Sequence, residues 1–426
     1  MKKYQINNFE ENIYHEKLDN GLNVYIVPLK NKNNYSCMYV TKYGGRDIKF
    51  KVNGKEYNTP TGIAHFLEHK MFERKEDPFK FYGKFGTDVN ASTSIDYTGY
   101  YFLGNKSFEK CLKYMLNWLK TINITEETVK KEQGIILEEA SMYKDNPDRV
   151  LYNKIRENAF VKDQSRNKVI GSDEDIVSIT LEDLKLCFNT FYSPNNMYLI
   201  ITGNVDVERT INLIKEETKD QVVSSNKIEK LYDEEPDNVF KEYEEIKMNV
   251  ETPKVSVAYK VSKKLFEGLN IDKMDLDIYL HSLFNIALGT TSKVREEWLL
   301  DNLFTSSFYR ISEIDSHYLI EFYATSNKED ELIEKLEKYI IDLKIDEESF
   351  EREKKLWIAH EIKAVETPMS ILYMILDDIL DYDKVIPNKV EYIKNLSYEN
   401  LKKVKDRLKY NNKVIIKIMP DVNLTQ

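Results

Sequence analysis

The chain has 426 residues, too many for one ordinary domain and enough for two of about 200, and its 42% hydrophobic and 31% charged residues suit a soluble globular protein. Its net charge of −10, without a basic stripe, argues against nucleic acid as a partner. No run of about eighteen apolar residues offers a membrane span, and Met1-Lys2-Lys3 leads into no apolar signal segment, so no membrane partner is expected and a cytoplasmic location is the default.

Residues His15 to Pro28 read as two strand-like runs around Asp19-Asn20-Gly21, with Leu22, Val24 and Ile26 alternating onto one face. Ser36 to Tyr43 is a further strand, ending at Gly44-Gly45. A helix is expected from about Gly62 to Phe72, entered through Thr59-Pro60-Thr61, and a short one over Pro78 to Phe85, closed by Gly86. Thr87 to Phe102 is β-branched and aromatic and predicts two antiparallel strands turning near Ser94-Ile95-Asp96. Helices follow over Ser107 to Thr121, Thr125 to Tyr143 and Asp148 to Phe160, the last two separated by Asn146-Pro147. Thr180 caps another helix, and Met197 to Thr202 is an apolar strand closed by Gly203. The stretch 216–249 is charged and is taken as a linker between an N-terminal domain, 1–215, and a C-terminal domain, 250–426. This alternation predicts an α+β fold. Cys37, Cys111 and Cys187 are widely spaced and odd in number, which points to reduced thiols and to no cysteine-based metal site.

The helix over 62–72 carries His-x-x-Glu-His. His65 and His69 stand four residues apart, on one helix face one turn from each other, where two imidazoles can hold one zinc ion (Zn2+). Glu68 lies between them in sequence, and its carboxylate can take a proton from a water activated by that metal. A chance pair of structural histidines is the alternative, but only six histidines occur in the chain and two fall here. The chemistry needs a third ligand. Glu132 and Glu139 lie two turns apart on one face of the Thr125–Tyr143 helix, with Glu138 as a competing choice about 100° round from Glu139.

The inverted motif followed, some seventy residues on, by Glu-x6-Glu resembles the M16 (pitrilysin/insulysin) zinc peptidases, and is most similar to the small bacterial M16B type, near the YmfH-like proteins. The resemblance implies that Glu139 is the third zinc ligand and that Glu132 is a supporting carboxylate. It implies that Asn90-Ala91, with Ser92 beside them and Thr93 close by, lie on a sheet-edge strand to which a peptide substrate adds as a further strand. It implies a half-clamshell of two α+β domains, each a mostly antiparallel sheet packed against helices. A chain of this size is one half of such an enclosure, so a dimer follows, either with itself or with an M16 paralogue. The activity implied is zinc-dependent endopeptidase action on unfolded peptides. The alternatives are a non-catalytic scaffold subunit and a peptidase trimming the leader or core of a small modified peptide. Many members also carry an Arg and a Tyr seven residues apart; here Arg310 and Tyr318 are eight apart, and the seventh position is His317.

The second half repeats the first. Ile124 to Glu132 parallels Ile345 to Glu353, and Pro147 parallels Pro368 at the same offset. Thr180 to Lys185 matches Ser397 to Lys402, and Asn195-Asn196 precedes a strand as Asn411-Asn412 does. Two copies of one domain are the simplest account. The second copy lacks the metal site: His360 stands opposite Glu139, and no His-x-x-Glu-His occurs near residue 290. His15, His281, His317 and His360 are read as isolated core or surface residues.

Overall fold

A computed structural model gives the architecture over residues 1–7, 9–221 and 223–421; the last five residues of the expected C-terminal domain lie outside these. The first half supplies β1 (Lys2–Gln5), β2 (Asn12–Lys17), β3 (Asn23–Pro28), β4 (Tyr35–Thr41), β5 (Lys49–Val52), β6 (Lys55–Asn58), β7 (Asp88–Thr93), β8 (Thr98–Gly104), β9 (Met197–Gly203) and β10 (Ile228–Lys230). The second supplies β11 (Tyr243–Met248), β12 (Lys254–Ser262), β13 (Ser306–Ile314), β14 (His317–Thr325) and β15 (Lys413–Pro420).

The larger sheet runs β1-β2-β3-β9-β4-β8-β7, antiparallel except for the β3–β9 pair. The other main sheet runs β11-β15-β12-β14-β13, again with one parallel pair, β11–β15. This is the pattern β3-β9-β4-β8-β7 repeated strand for strand, so the duplication seen in the sequence is a duplication of fold. The expected α+β class, with mostly antiparallel sheets packed against helices, is what the chain adopts. A small sheet, β10-β5-β6, completes the first repeat, its β5–β6 turn made by Asn53 and Gly54, both at positive φ.

The chain divides into two compact units that are not contiguous in sequence. One comprises Met1–Ala140, Asn167–Tyr232 and Glu361–Lys389; the other comprises Ser141–Arg166, Asp233–His360 and Val390–Gln426. The division therefore differs from domains 1–215 and 250–426 joined by a linker, and the reason lies in the sheets. Every residue of β4 is buried, so both faces of the first sheet need a cover. One cover is the helix Pro368–Tyr382 from the second half, whose Ile371, Leu372, Ile375 and Ile379 pack on Tyr25, Val27, Met38, Val40 and Ile200. In exchange, the helix Pro147–Ala159 from the first half covers the second sheet, with Leu151, Ile155 and Ala159 against Ala258, Leu319, Val414 and Ile416. Described residues of the stretch 216–249 contribute β10 to the first unit and β11 to the second. Among the described residues no helix is long and apolar enough to cross a membrane.

Candidate metal centre

The motif helix spans Ile63–Phe72. Ile63, Ala64, Phe66, Leu67 and Met71 are buried, which leaves His65, Glu68 and His69 half-buried on the remaining face. Gly62 precedes the helix at φ +85°, and a Cβ there would stand 2.3 Å from the Ile170 carbonyl oxygen. Only glycine lets the chain turn into the helix so close to that loop.

The helix Glu126–Lys144 faces the motif. It buries Val129, Ile136 and Ala140, and its Glu132 and Glu139 are half-buried while Glu138 is exposed. His65, His69 and Glu139 offer ligand atoms that all lie within 4.8 Å of one another. Glu139 Oε2 is 3.7 Å from His65 Nε2 and 3.4 Å from His69 Nε2. The two imidazole centroids are 4.7 Å apart. Of the two candidates for the third ligand, Glu139 therefore meets the histidines and Glu138 does not.

Glu132 stands behind the centre. Its Oε1 is 3.0 Å from His69 Nδ1. With Nδ1 turned to that carboxylate, Nε2 is the ring nitrogen that faces Glu139 and would serve as the metal ligand on loss of its proton. Lys70, fully buried, lies behind Glu132 in turn: its Nζ is 3.6 Å from Glu132 Oε2, donates to the Thr128 carbonyl at 3.0 Å and also pairs with Glu73. Burial alone would raise the Glu132 pKa, but His69 and Lys70 hold it below the ordinary carboxylate value. Burial likewise opposes the charged form of His69, yet Glu132 and Glu139 outweigh it and push its pKa up to about 9. A place that stabilises an imidazolium so strongly attracts positive charge, and a divalent cation answers the same field. Glu68 is raised above the ordinary carboxylate range chiefly by burial, partly offset by the Thr93 hydroxyl, which donates to its Oε2 at 2.6 Å.

Asn90, Ala91 and Ser92 lie on β7, which pairs with β8 alone and so forms the free edge of the larger sheet. Asn90 and Ser92 are exposed and Ala91 is half-buried. Sequence reading placed Thr93 close to Asn90-Ala91 on the edge strand but gave it no link to Glu68, and it missed Lys70. A lysine on the apolar side of a buried helix was a visible signal for Lys70.

The second unit carries a decayed counterpart that residue spacing did not disclose. His281-Ser282-Leu283-Phe284-Asn285, on the helix Lys273–Leu288, is the equivalent of His65-Phe66-Leu67-Glu68-His69. Asn285 Nδ2 donates to Glu353 Oε1 at 2.6 Å, the pairing that His69 makes with Glu132. A buried phenylalanine replaces the carboxylate at Glu68, and an amide replaces the second imidazole. His281 is thus a remnant of the motif, packed against Trp357 and Tyr309. His317 contacts Asp237 at 3.0 Å, and His15 stacks on Tyr25.

One intact centre and one decayed copy on repeated folds define a class of protein, and comparison with known proteins agrees. Residues 53–173 match the insulinase domain of peptidase family M16, and residues 178–356 match the peptidase M16 inactive domain. The chain belongs to peptidase family M16. It is 36% identical over 314 residues to the uncharacterised zinc protease YmfH of Bacillus subtilis, covering 72% of this chain and 73% of that one. The zinc protease PqqE of Helicobacter pylori is 31% identical over 206 residues, 46% of this chain and 45% of its own. Among solved structures, an M16-like peptidase from Alicyclobacillus acidocaldarius superposes with a TM-score of 0.90 at 27% identity, over 97% of this chain and 99% of that one.

Proposed function

We propose that the chain is a zinc-dependent endopeptidase acting on unfolded peptides, with His65, His69 and Glu139 as metal ligands, Glu68 as general base and Glu132 as the support of His69. The observation that carries this reading is the convergence of two imidazoles and one carboxylate with a second, half-buried carboxylate beside them. Such a donor set suits catalytic zinc, which takes three protein ligands and keeps a fourth position open. Relatives described as zinc proteases support the same metal. When bound, zinc supplies Lewis-acid polarisation of a carbonyl and brings the pKa of water to about 7.

The rest falls to side chains of this chain. Glu68 takes the proton of the attacking water and returns it to the leaving amine. Glu132 keeps the His69 ring in one tautomer and one orientation. The free edge of β7, with Asn90, Ala91 and Ser92, receives an extended peptide through backbone hydrogen bonds, so side-chain preference is broad. A folded protein offers no such strand without local unfolding, so stable domains are poor substrates. A dimer, with a second copy or an M16 paralogue, and a cytoplasmic location belong to the same reading.

The test is zinc content and hydrolysis of an unfolded peptide, for the chain alone and with an adjacent paralogue. One zinc per chain and cleavage are expected. Glu68→Gln is expected to keep the metal and lose about 10²–10⁴-fold in turnover. A chain that binds zinc yet cleaves nothing in either setting would favour the scaffold reading.

A further inference from the structure

We propose that Thr93 is a positioning residue for this reaction: it holds the Glu68 carboxylate with one oxygen engaged and the other presented to the proton. The inference rests on the peptidase reading above. Thr93 is the last residue of β7, in register with Thr98 on β8. Side chains alternate along the strand: Asp88, Asn90 and Ser92 are exposed, while Val89, Ala91 and Thr93 lie on the more buried face. That alternation brings the Thr93 hydroxyl to Glu68 Oε2, 2.6 Å away.

A threonine hydroxyl has one proton to give. Thr98 Oγ1 lies 3.5 Å from Thr93 Oγ1, but its better acceptor is the Tyr43 carbonyl at 2.9 Å. The Thr93 proton is therefore committed to Glu68, in a charge-assisted bond of the stronger kind. Thr93 also acts on this carboxylate through its backbone N–H, and among the described residues no other side chain donates to Glu68, so Oε1, which the hydroxyl does not engage, is the oxygen assigned to act as base. In the reaction the water oxygen bonds to the scissile carbonyl carbon while its proton passes to Oε1. The proton then moves to the amide nitrogen as the C–N bond breaks, and no further co-reactant is required.

The donor is itself held. The turn after β7 is tied to the segment at Gly44 by Gly45 N–H to the Ser94 carbonyl at 2.9 Å and Arg46 N–H to the Ile95 carbonyl at 3.0 Å. Arg46 also lies 3.3 Å from Asp96. The strand that offers the substrate edge thus also fixes the base.

The experiment compares Thr93→Val and Thr93→Ser in the full-length zinc-loaded protein, each alone and with Glu68→Gln, reading kcat, KM and zinc content on one unfolded peptide. Loss of a hydrogen bond to a charged group predicts that Thr93→Val lowers kcat about 10–100-fold. KM and zinc content are expected to stay at the parent values, with Thr93→Ser restoring most of kcat. In the Glu68→Gln background, Thr93→Val is expected to cost nothing further, because its effect passes through Glu68. If valine prevents folding, Thr93→Ala takes its place with the same expectations. Parental kcat in the variant without the hydroxyl, equal losses in serine and valine, or additive losses with Glu68→Gln would overturn the proposal. Full turnover in Glu68→Gln alone would instead remove Glu68 as the base, and a zinc-loaded parent protein that cleaves no unfolded peptide would remove the peptidase reading on which the proposal rests.

Discussion

Lys70 shows how one side chain can matter to a centre it does not touch. A buried ammonium is costly unless paired, and here Glu132, Glu73 and the Thr128 carbonyl surround it. Its charge in turn helps keep Glu132 ionised against His69. Replacing it by methionine keeps the bulk and removes the charge. Lys70→Met is expected to weaken zinc binding about 10–100-fold, as loss of outer partners of metal ligands commonly does. Competition with a chelator of known affinity measures this, and unchanged affinity would contradict the role given to Lys70. His281 makes a second case. Burial against Trp357 and Tyr309 lowers its pKa from 6.5 to about 4. The folded state thus favours the neutral ring: its contribution is complete above about pH 6.5 and is lost as pH falls towards 4. His281→Gln is expected to narrow the gap between urea midpoints measured at pH 7 and pH 5, and an unchanged gap would show that other groups set the acid sensitivity.

At the scale of elements, the motif helix depends on how it begins. Gly62 at φ +85° and Gly171 at φ +92° let two backbone segments touch, and a Cβ on Gly171 would stand 2.6 Å from the Thr61 carbonyl. Thr61 hydroxyl bonding to Asp175 and the Ser172 amide ties the same junction. Left-handed backbone costs a residue with a Cβ about 1–2 kcal/mol, and the Ile170 carbonyl leaves no room in addition. Gly62→Ala is therefore expected to lower stability by more than that figure and to reduce zinc affinity, because His65 and His69 move with the helix. Calorimetric melting and metal analysis check both. The sequence showed the helix entrance but not this close approach. The β5–β6 hairpin was legible and missed, since Asn53-Gly54 between short polar–apolar runs is the usual signal for its turn.

For the whole molecule, the exchanged helices decide what can fold alone. A fragment ending at Tyr232 keeps the motif, Glu139 and all strands of the larger sheet but lacks Pro368–Tyr382. Its Tyr25, Val27, Met38, Val40 and Ile200 are then left without the apolar helix that covers them. Fragment 1–232 is expected to bind a hydrophobic dye and to unfold in urea without a sharp transition, and joining residues 361–389 to it through a flexible linker is expected to restore cooperativity. A sharp transition in the bare fragment would show that the sheet tolerates an open face.

The sequence by itself determined the His-x-x-Glu-His motif, the glutamate pair, the family and the duplication. Each is written in local spacing: four residues put His65 and His69 on one helix face, seven put Glu132 and Glu139 on another, and one offset repeats Glu132 as Glu353 and Pro147 as Pro368. Only the tertiary structure decided between Glu138 and Glu139, joined Thr93 to Glu68, turned His281 from an isolated residue into a remnant of the motif, and exchanged a covering helix between the two sheets. Those outcomes depend on which surfaces meet across long stretches of chain. An apolar helix such as Pro368–Tyr382 shows by its pattern that it must be covered, and the pattern does not name the sheet that covers it.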